Sequence, residues 1–415
     1  MRDRKVYVIG AGLAGLSAAT ELAEQGARVE IFEAAPLAGG RCRSYFDSQL
    51  GQVIDNGNHF VLSGNHATMQ FLKRTGAQGG LAGPAKAGVA CVDIRSGERW
   101  AIAPNDGPFP LWLFDKKRRV PGTRAADYVE IAKLLRIGHD RPLRDVLSCR
   151  GVLWDRLFHP FFVGALNTEP EEASAALASA LVRETFAKGG QAYRIRIAHP
   201  TLASVFVDPA VALLKAKGGE IGIGQRVREI VFEGHSAIAL TLPEKTVPVS
   251  GGDIVILAVP PWVATELVPG IPTPDEFRSI VNAHFKIAAP AGAPLMLGVV
   301  GGTAQWIFSF EDRVAVTISN ADAIVNDDRE ALAQSIWIDV AKALDISDPL
   351  PPWQIVKEKR ATFAATPEQA ARRPQTRTRW SNLYLAGDWT DTGLPATIEG
   401  AIRSGHKAAE LAARQ

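Results

Sequence analysis

Gly10-Ala11-Gly12-Leu13-Ala14-Gly15, with Glu33-Ala34 downstream, is the first group of residues in this chain whose types and spacing suggest chemistry. A Gly-x-Gly-x-x-Gly run followed by an acid about 20 residues later suits a dinucleotide. The first glycine permits a tight turn, the second lets backbone approach a pyrophosphate, and the third lets a helix lie close to a strand. The helix N-terminus would aim N–H donors and positive dipole at that pyrophosphate. Glu33 would accept from both ribose hydroxyls and repel a 2′-phosphate. A few residues on, Gly39-Gly40-Arg41 offers a close backbone approach and a forked cationic donor for phosphate. Near the other end, Gly387-Asp388 offers an acceptor for a ribityl hydroxyl or, through water, for phosphate. Pro395-Ala396-Thr397-Ile398 then opens a helix whose N-terminus suits an electron-rich edge such as flavin N1–C2=O.

These residues need particular elements behind them. Lys5 to Ile9 is a short apolar run that reads as a buried parallel strand. Leu13 to Glu24 is an alanine-rich helix pattern stopped by Gly26, and Arg28 to Phe32 is the next strand. Leu383 to Ala386 reads as another strand, and Ala396 to Ala413 as the terminal helix. Each motif alone has a plain alternative: a glycine turn without ligand, a solvated surface arginine, an amphipathic capping helix. Together at opposite ends of one chain they suggest one dinucleotide held from both, which makes FAD the leading cofactor.

Composition bounds the remainder. A chain of 415 residues is expected to form two domains, and a net charge of +2 argues against a nucleic-acid partner. Cys42, Cys91 and Cys149 show no metal-ligand spacing and cannot all pair, so no metal is expected and a reduced cytoplasmic setting fits. The first strand begins at about Lys5, which argues against a signal peptide, and no apolar run reaches the length of a membrane span.

The expected fold class is α/β: a Rossmann-like FAD-binding domain with an inserted α+β substrate domain. The cofactor domain must be discontinuous, taking residues 1–62, 208–262 and 380–415. The inserts 63–207 and 263–379 make the substrate domain. Helices are expected at 125–136, 171–186 and 329–344, and strands at 225–231, 253–259, 285–288, 295–300, 305–310 and 314–319. A helix-covered sheet beside a flavin domain would leave an apolar cavity at the junction.

Further stretches carry a resemblance: Asp55-Asn56-Gly57-Asn58-His59, Ala165 to Ser174, Trp306-Ile307-Phe308, Gly387-Asp388-Trp389-Thr390 and Gly393 to Ala401. With them the chain resembles the FAD-dependent amine oxidase and phytoene desaturase superfamily, and within it the hydroxysqualene dehydroxylases. The resemblance spans nearly the whole chain. It implies an amine oxidase-like fold, an apolar isoprenoid substrate, and Val227 as a backbone contact near the adenine. It also implies that Asn56, Gly57 and Asn58 lie beside the isoalloxazine. The reaction it implies is reductive removal of the hydroxyl of hydroxysqualene, which needs a positioned proton donor. His59 is the first candidate, with Asp55 orienting it or the loop; the alternative is that both are structural. Other open readings are a desaturase or amine oxidase of the same fold, and a prenyl-lipid carrier without FAD. The resemblance leaves the electron donor open.

Phe109-Pro110-Leu111-Trp112-Leu113-Phe114 is followed at once by Lys116-Lys117-Arg118-Arg119. Such a pairing suits contact with an anionic membrane surface, on the inner face of the cytoplasmic membrane; the alternative is a core or cavity-lining segment beside a solvated charge run.

Overall fold

The computed structural model describes residues 4–415. Five parallel strands form one sheet in the spatial order Glu220–Ile223, Arg28–Glu33, Lys5–Ile9, Ile254–Leu257, Leu383–Leu385. Three distant stretches of chain therefore meet in a single α/β layer. In the strand Lys5–Ile9, Val6 and Val8 face one apolar core while Tyr7 and Ile9 face another. Burial on both faces is why this strand reads as a continuous apolar run.

The helix Leu13–Glu24 is nearly all small or aliphatic, and ten of its residues are buried. Its alanines let the terminal helix Ile398–Ala413 cross at close range. A Cβ on Gly405 would stand 2.2 Å from the Ala14 carbonyl oxygen, so the crossing requires glycine there.

The second layer is a seven-stranded sheet. Its order is Trp353–Phe363, Phe277–Phe285, Val314–Ile318, Trp306–Ser309, Met296–Val300, Val89–Asp93, Arg99–Ile102. Residues 89–102 thus join the sheet built by the later insert. The helix Arg329–Leu344 covers one face, packing Leu332, Ile336 and Val340 on Val281, Phe285 and Val316. The other face carries Asn282, His284, Thr317, Trp306 and Phe308, which face away from that helix.

Four of the expected elements differ in the structure. Residues 125–136 form 3-10 turns rather than an α-helix, because Tyr128, Ile131 and Leu134 turn inward at a strict spacing of three. The helix expected over 171–186 spans Ala175–Glu184, started by the Ser174 side chain. The strand expected at 225–231 is Glu229–Glu233, its register set by a two-residue hairpin turn at Gly234-His235. The strand expected at 285–288 is Phe277–Phe285, and its buried polar Asn282 and His284 disguised the alternation. The expected breaks after 62 and 207 also cut across packing. Phe71, Leu72, Leu202 and Phe206 belong to the same core as Val6 and Ile31. Burial, not motif spacing, sets that edge. No helix of the described residues is long and apolar enough to cross a membrane.

Candidate functional site

Gly10 lies at φ +105°, and a Cβ there would stand 2.4 Å from the Ala258 carbonyl oxygen. Only glycine can make this turn from strand to helix. A Cβ at Gly12 would meet no atom within 4 Å, so the outer side of the turn is open to a ligand. No side chain caps the helix that starts at Leu13, which leaves its first N–H groups available to an anion. Ala11, Ala14 and Gly15 are buried behind the turn. Glu33 braces it: one carboxylate oxygen accepts from the Ala11 N–H at 2.7 Å and the other from the Ala35 N–H at 2.8 Å. The remaining lone pairs are left for hydroxyl donors. Ala34 beside it is exposed. The Gly39 N–H donates to the Ala11 carbonyl at 2.8 Å, and a Cβ on Gly40 would meet Gly12 Cα at 3.4 Å. Val227 is buried in the same apolar cluster as Ile9 and Phe32.

Arg41 and Asp388 lie 347 residues apart and meet in space, an Arg41 Nη2 donating to both Asp388 oxygens at 2.7 Å. Arg41 Nη1 donates to the Ala361 carbonyl oxygen on the second sheet. Sequence suggested separate duties on phosphate and ribityl; the structure links the two residues directly. The Arg41 side chain is still 42% exposed, against 8% for Asp388. Burial works against the Arg41 charge, but Asp388 outweighs it and raises the pKa.

Arg373, which sequence reading missed, supports the same turn from inside. It is buried and donates to the Asp388 and Thr390 carbonyl oxygens and, at 3.0 Å, to Thr392 Oγ1. Burial lowers its pKa to about 10, so it remains a cation at neutral pH. Nothing in the local run Arg372-Arg373-Pro374 marks it for this place. Gly387 takes φ +152°, and its N–H donates to Ser404 Oγ at 2.8 Å. The terminal helix starts at Ile398, two residues later than expected. Thr397 is its N-cap, accepting from the Gly400 N–H at 3.0 Å, and Pro395 and Ala396 lie outside it. Glu399, also missed, turns to the N-terminus of the helix His66–Thr75. Its carboxylate accepts from the N–H groups of Ala67 and Thr68, at 3.1 and 2.9 Å, and from Thr68 Oγ1 at 2.7 Å.

The loop between the two sheets separates its acid from its base. Asp55 Oδ1 accepts from Ser44 Oγ at 2.6 Å and from the Leu202 N–H at 2.9 Å, with Arg313 3.6 Å from its other oxygen. Asp55 therefore orients the loop and makes no hydrogen bond to His59. Burial raises its pKa. Among the described residues, the His59 side chain makes no hydrogen bond. Burial first, then Arg41, lowers its imidazole to about 4. Asn58 Nδ2 donates at 3.3 Å to the Val316 carbonyl and to Thr317 Oγ1, which donates to Asn282 Oδ1 at 2.7 Å. Asn56 Nδ2 donates to Glu358 at 3.4 Å. A Cβ on Gly57 would stand 3.0 Å from Asn282 Nδ2. The side chains of Asn56 and Asn58 thus fasten the loop to the second sheet.

Beyond the loop the surroundings are apolar. Trp306, Phe308, Met296, Ile195, Ile197 and Leu62 pack together on the side of the second sheet opposite the helix Arg329–Leu344. Phe161, Phe186 and Tyr193 form a row with ring centroids 5.3 and 5.7 Å apart. The acidic stretch after Ala165 is structural at both ends: Asn167 Nδ2 donates to Thr362 Oγ1 at 2.9 Å, and Ser174 caps its helix. In its middle Glu169 pairs with His159 at 2.9 Å, and Glu171 brings a third ligand-type atom within 4.8 Å of both. Residue spacing did not flag that grouping.

The donor set fits FAD. Gly12 leaves room for the pyrophosphate beside uncapped helix N–H groups, Glu33 has lone pairs for ribose, and Arg41 and Asp388 stand where three chain segments converge. Residues 13–413 match the model of the flavin containing amine oxidoreductases. The chain is 50% identical to a hydroxysqualene dehydroxylase of Rhodopseudomonas palustris over 410 residues, covering 99% of this chain and 98% of that protein. It is 48% identical to that of Zymomonas mobilis over 406 residues, covering 98% of each. Cyclohexylamine oxidase from Brevibacterium oxydans shares the fold, with a TM-score of 0.71 at 16% identity over 99% of each chain.

Proposed function

The chain belongs to the hydroxysqualene dehydroxylase family, within the flavin containing amine oxidoreductases, and from that premise we propose that it reduces hydroxysqualene to squalene with FAD as its cofactor. The reaction replaces a carbon-bound hydroxyl by hydrogen and releases water, consuming two electrons and two protons. Reduced FAD supplies the hydride equivalent. The protein must bind FAD and the polyene, exclude bulk water and deliver one proton to the departing hydroxyl.

Gly10, Gly12, Glu33, Arg41 and Asp388 are the residues we assign to holding FAD, with Gly39, Gly40, Gly387 and the turn at Pro395–Thr397 shaping its bed. Asn56, Gly57 and Asn58 keep the loop against the second sheet, and Asp55 locks its base. His59 is the group we assign to proton delivery. The observation that carries the substrate class is the apolar face of Trp306, Phe308, Met296, Ile195 and Ile197, on the same side of the sheet as Asn282 and Thr317, which hold the loop ending in His59. A hydrocarbon chain suits apolar surroundings of this kind, and a charged substrate would lose hydration beside them.

The test is an anaerobic single turnover with hydroxysqualene and enzyme whose FAD has been reduced chemically. About one squalene per FAD is expected. Squalene absent here, with a dehydrogenated product formed from oxidised enzyme, would transfer the chain to the desaturase reading. A protein that binds no FAD would leave only the carrier.

A further inference from the structure

The segment that begins at Phe109 is neither core nor cavity wall. Phe109, Leu111 and Phe114 are 75%, 66% and 77% exposed, while Trp112 between them is 4% exposed. Water ordinarily drives such residues inward, so their exposure needs a scaffold. Trp112 packs edge-on against Tyr128 at 5.5 Å, and its backbone N–H donates to Asn105 Oδ1 at 3.1 Å. Asn105 Nδ2 in turn donates to the Phe109 carbonyl at 2.8 Å. Arg119, buried, donates to the Leu113 carbonyl. One aromatic anchors the turn and its neighbours are held outward.

The basic run divides in the same way. Arg118 donates to the Ala103 carbonyl at 2.7 Å, and with Arg119 it serves the scaffold. Lys116 and Lys117 are exposed, and neither forms an ion pair among the described residues. Arg136 is exposed nearby in sequence, as is Val129, at 68%. Aromatic and aliphatic side chains flanked by free lysines match the two layers of an anionic bilayer surface, acyl boundary and head groups.

The turn is also fastened to the row of rings described above. The Gly190 N–H donates to the Asn105 carbonyl at 2.9 Å, and Arg194 pairs with Asp106 at 3.1 Å. Between those two anchors sits Tyr193, its ring tilted against Phe186, which in turn is tilted against Phe161. The helix carrying Phe161 meets the second sheet where a Cβ on Gly164 would stand 2.9 Å from Trp306 Nε1.

We propose that Phe109, Leu111 and Phe114 insert into an anionic membrane with Lys116 and Lys117 at its head groups, and that an apolar substrate leaves the bilayer along Tyr193, Phe186 and Phe161 toward Trp306. The docking half stands on the surface alone; the passage half rests on the proposed reaction.

The test uses FAD-loaded protein and floats it with vesicles of phosphatidylcholine and phosphatidylglycerol. Wild type should float, and added salt should weaken its binding. The triple variant Phe109→Ser, Leu111→Ser, Phe114→Ser should stay in solution with unchanged FAD content. Lys116→Gln with Lys117→Gln should weaken binding on the order of tenfold to thirtyfold. Ile338→Ser, at a residue equally exposed at 66% on the helix covering the far face, should float like wild type. With hydroxysqualene carried in vesicles the triple variant should turn over slowly, and in detergent at the wild-type rate. Flotation equal in wild type and triple variant, or wild type that does not float, overturns docking. Wild type that dimerises through these residues instead overturns it in favour of a second copy. Absence of squalene from detergent-carried substrate strikes the proposed reaction and leaves the flotation result standing.

Discussion

Asp55 and His59 are four positions apart and serve different ends. Asp55 is engaged by Ser44, Leu202 and Arg313, whereas His59 has no hydrogen-bond partner among the described residues and a pKa lowered to about 4. At pH 7 such an imidazole is protonated in about one molecule in a thousand. When protonated it is a stronger acid than an ordinary histidine. The proposed proton delivery by His59 therefore predicts a single-turnover rate that rises about tenfold for each unit of pH lowered between 7.5 and 6. His59→Ala should keep FAD and lose about 10²–10⁴-fold in rate, together with that pH dependence. A flat profile in wild type would reduce His59 to a positioning residue. A variant of normal rate would assign the proton elsewhere.

At the scale of elements, the terminal helix does two jobs with adjacent residues. Thr397 caps it, leaving Pro395 and Ala396 for the proposed bed of the cofactor, while Glu399 reaches back to the N-terminus of the helix His66–Thr75. The carboxylate there satisfies two orphan N–H groups and the positive end of that helix. Glu399 is 4% exposed, so its loss would leave those donors buried and unpaired. Glu399→Ala is expected to cost about 2–4 kcal/mol in denaturant unfolding, and Glu399→Gln less, since an amide oxygen retains one acceptor. A loss below about 0.5 kcal/mol for the alanine variant, the range of an inert surface change, would refute this anchoring role.

Across the whole molecule, the two sheets close on one another through buried polar groups. His284 lies on the inner face of the second sheet, fully buried, with neither ring nitrogen hydrogen-bonded among the described residues. Burial, then Arg313, lowers its imidazole to about 4, against the opposing influence of the Asp55 backbone and the Asp47 charge. The unfolded chain binds this proton near pH 6.5 and the folded chain only near 4. Stability from neutral His284 is therefore complete above about pH 6.5 and declines as pH falls toward 4, by at most about 1.4 kcal/mol per unit. His59 and His406, also lowered to about 4, add in the same direction. Chemical unfolding at pH 7 and pH 5 should show a smaller acid loss in His284→Gln than in wild type. Equal losses in both proteins would mean that His284 titrates normally in the folded state.

Local sequence determined the glycine turn, the helix Leu13–Glu24 and the helix Arg329–Leu344, because each is set by residues close in the chain, and the cofactor class followed from finding such local motifs at both ends of it. Gly10 must be glycine for the turn it makes, and the alanine-rich helix follows at once. The exposed hydrophobic turn was half legible: composition marked the segment, but only packing showed that Trp112 turns in while Phe109 and Phe114 stay out. The Arg41–Asp388 pair, the Arg373 support, the Glu399 anchor and the divorce of Asp55 from His59 were decided by tertiary structure. A polar side chain takes whichever partner burial brings within about 3 Å. For these residues the partner lies tens to hundreds of positions away, where spacing along the chain carries no information about distance.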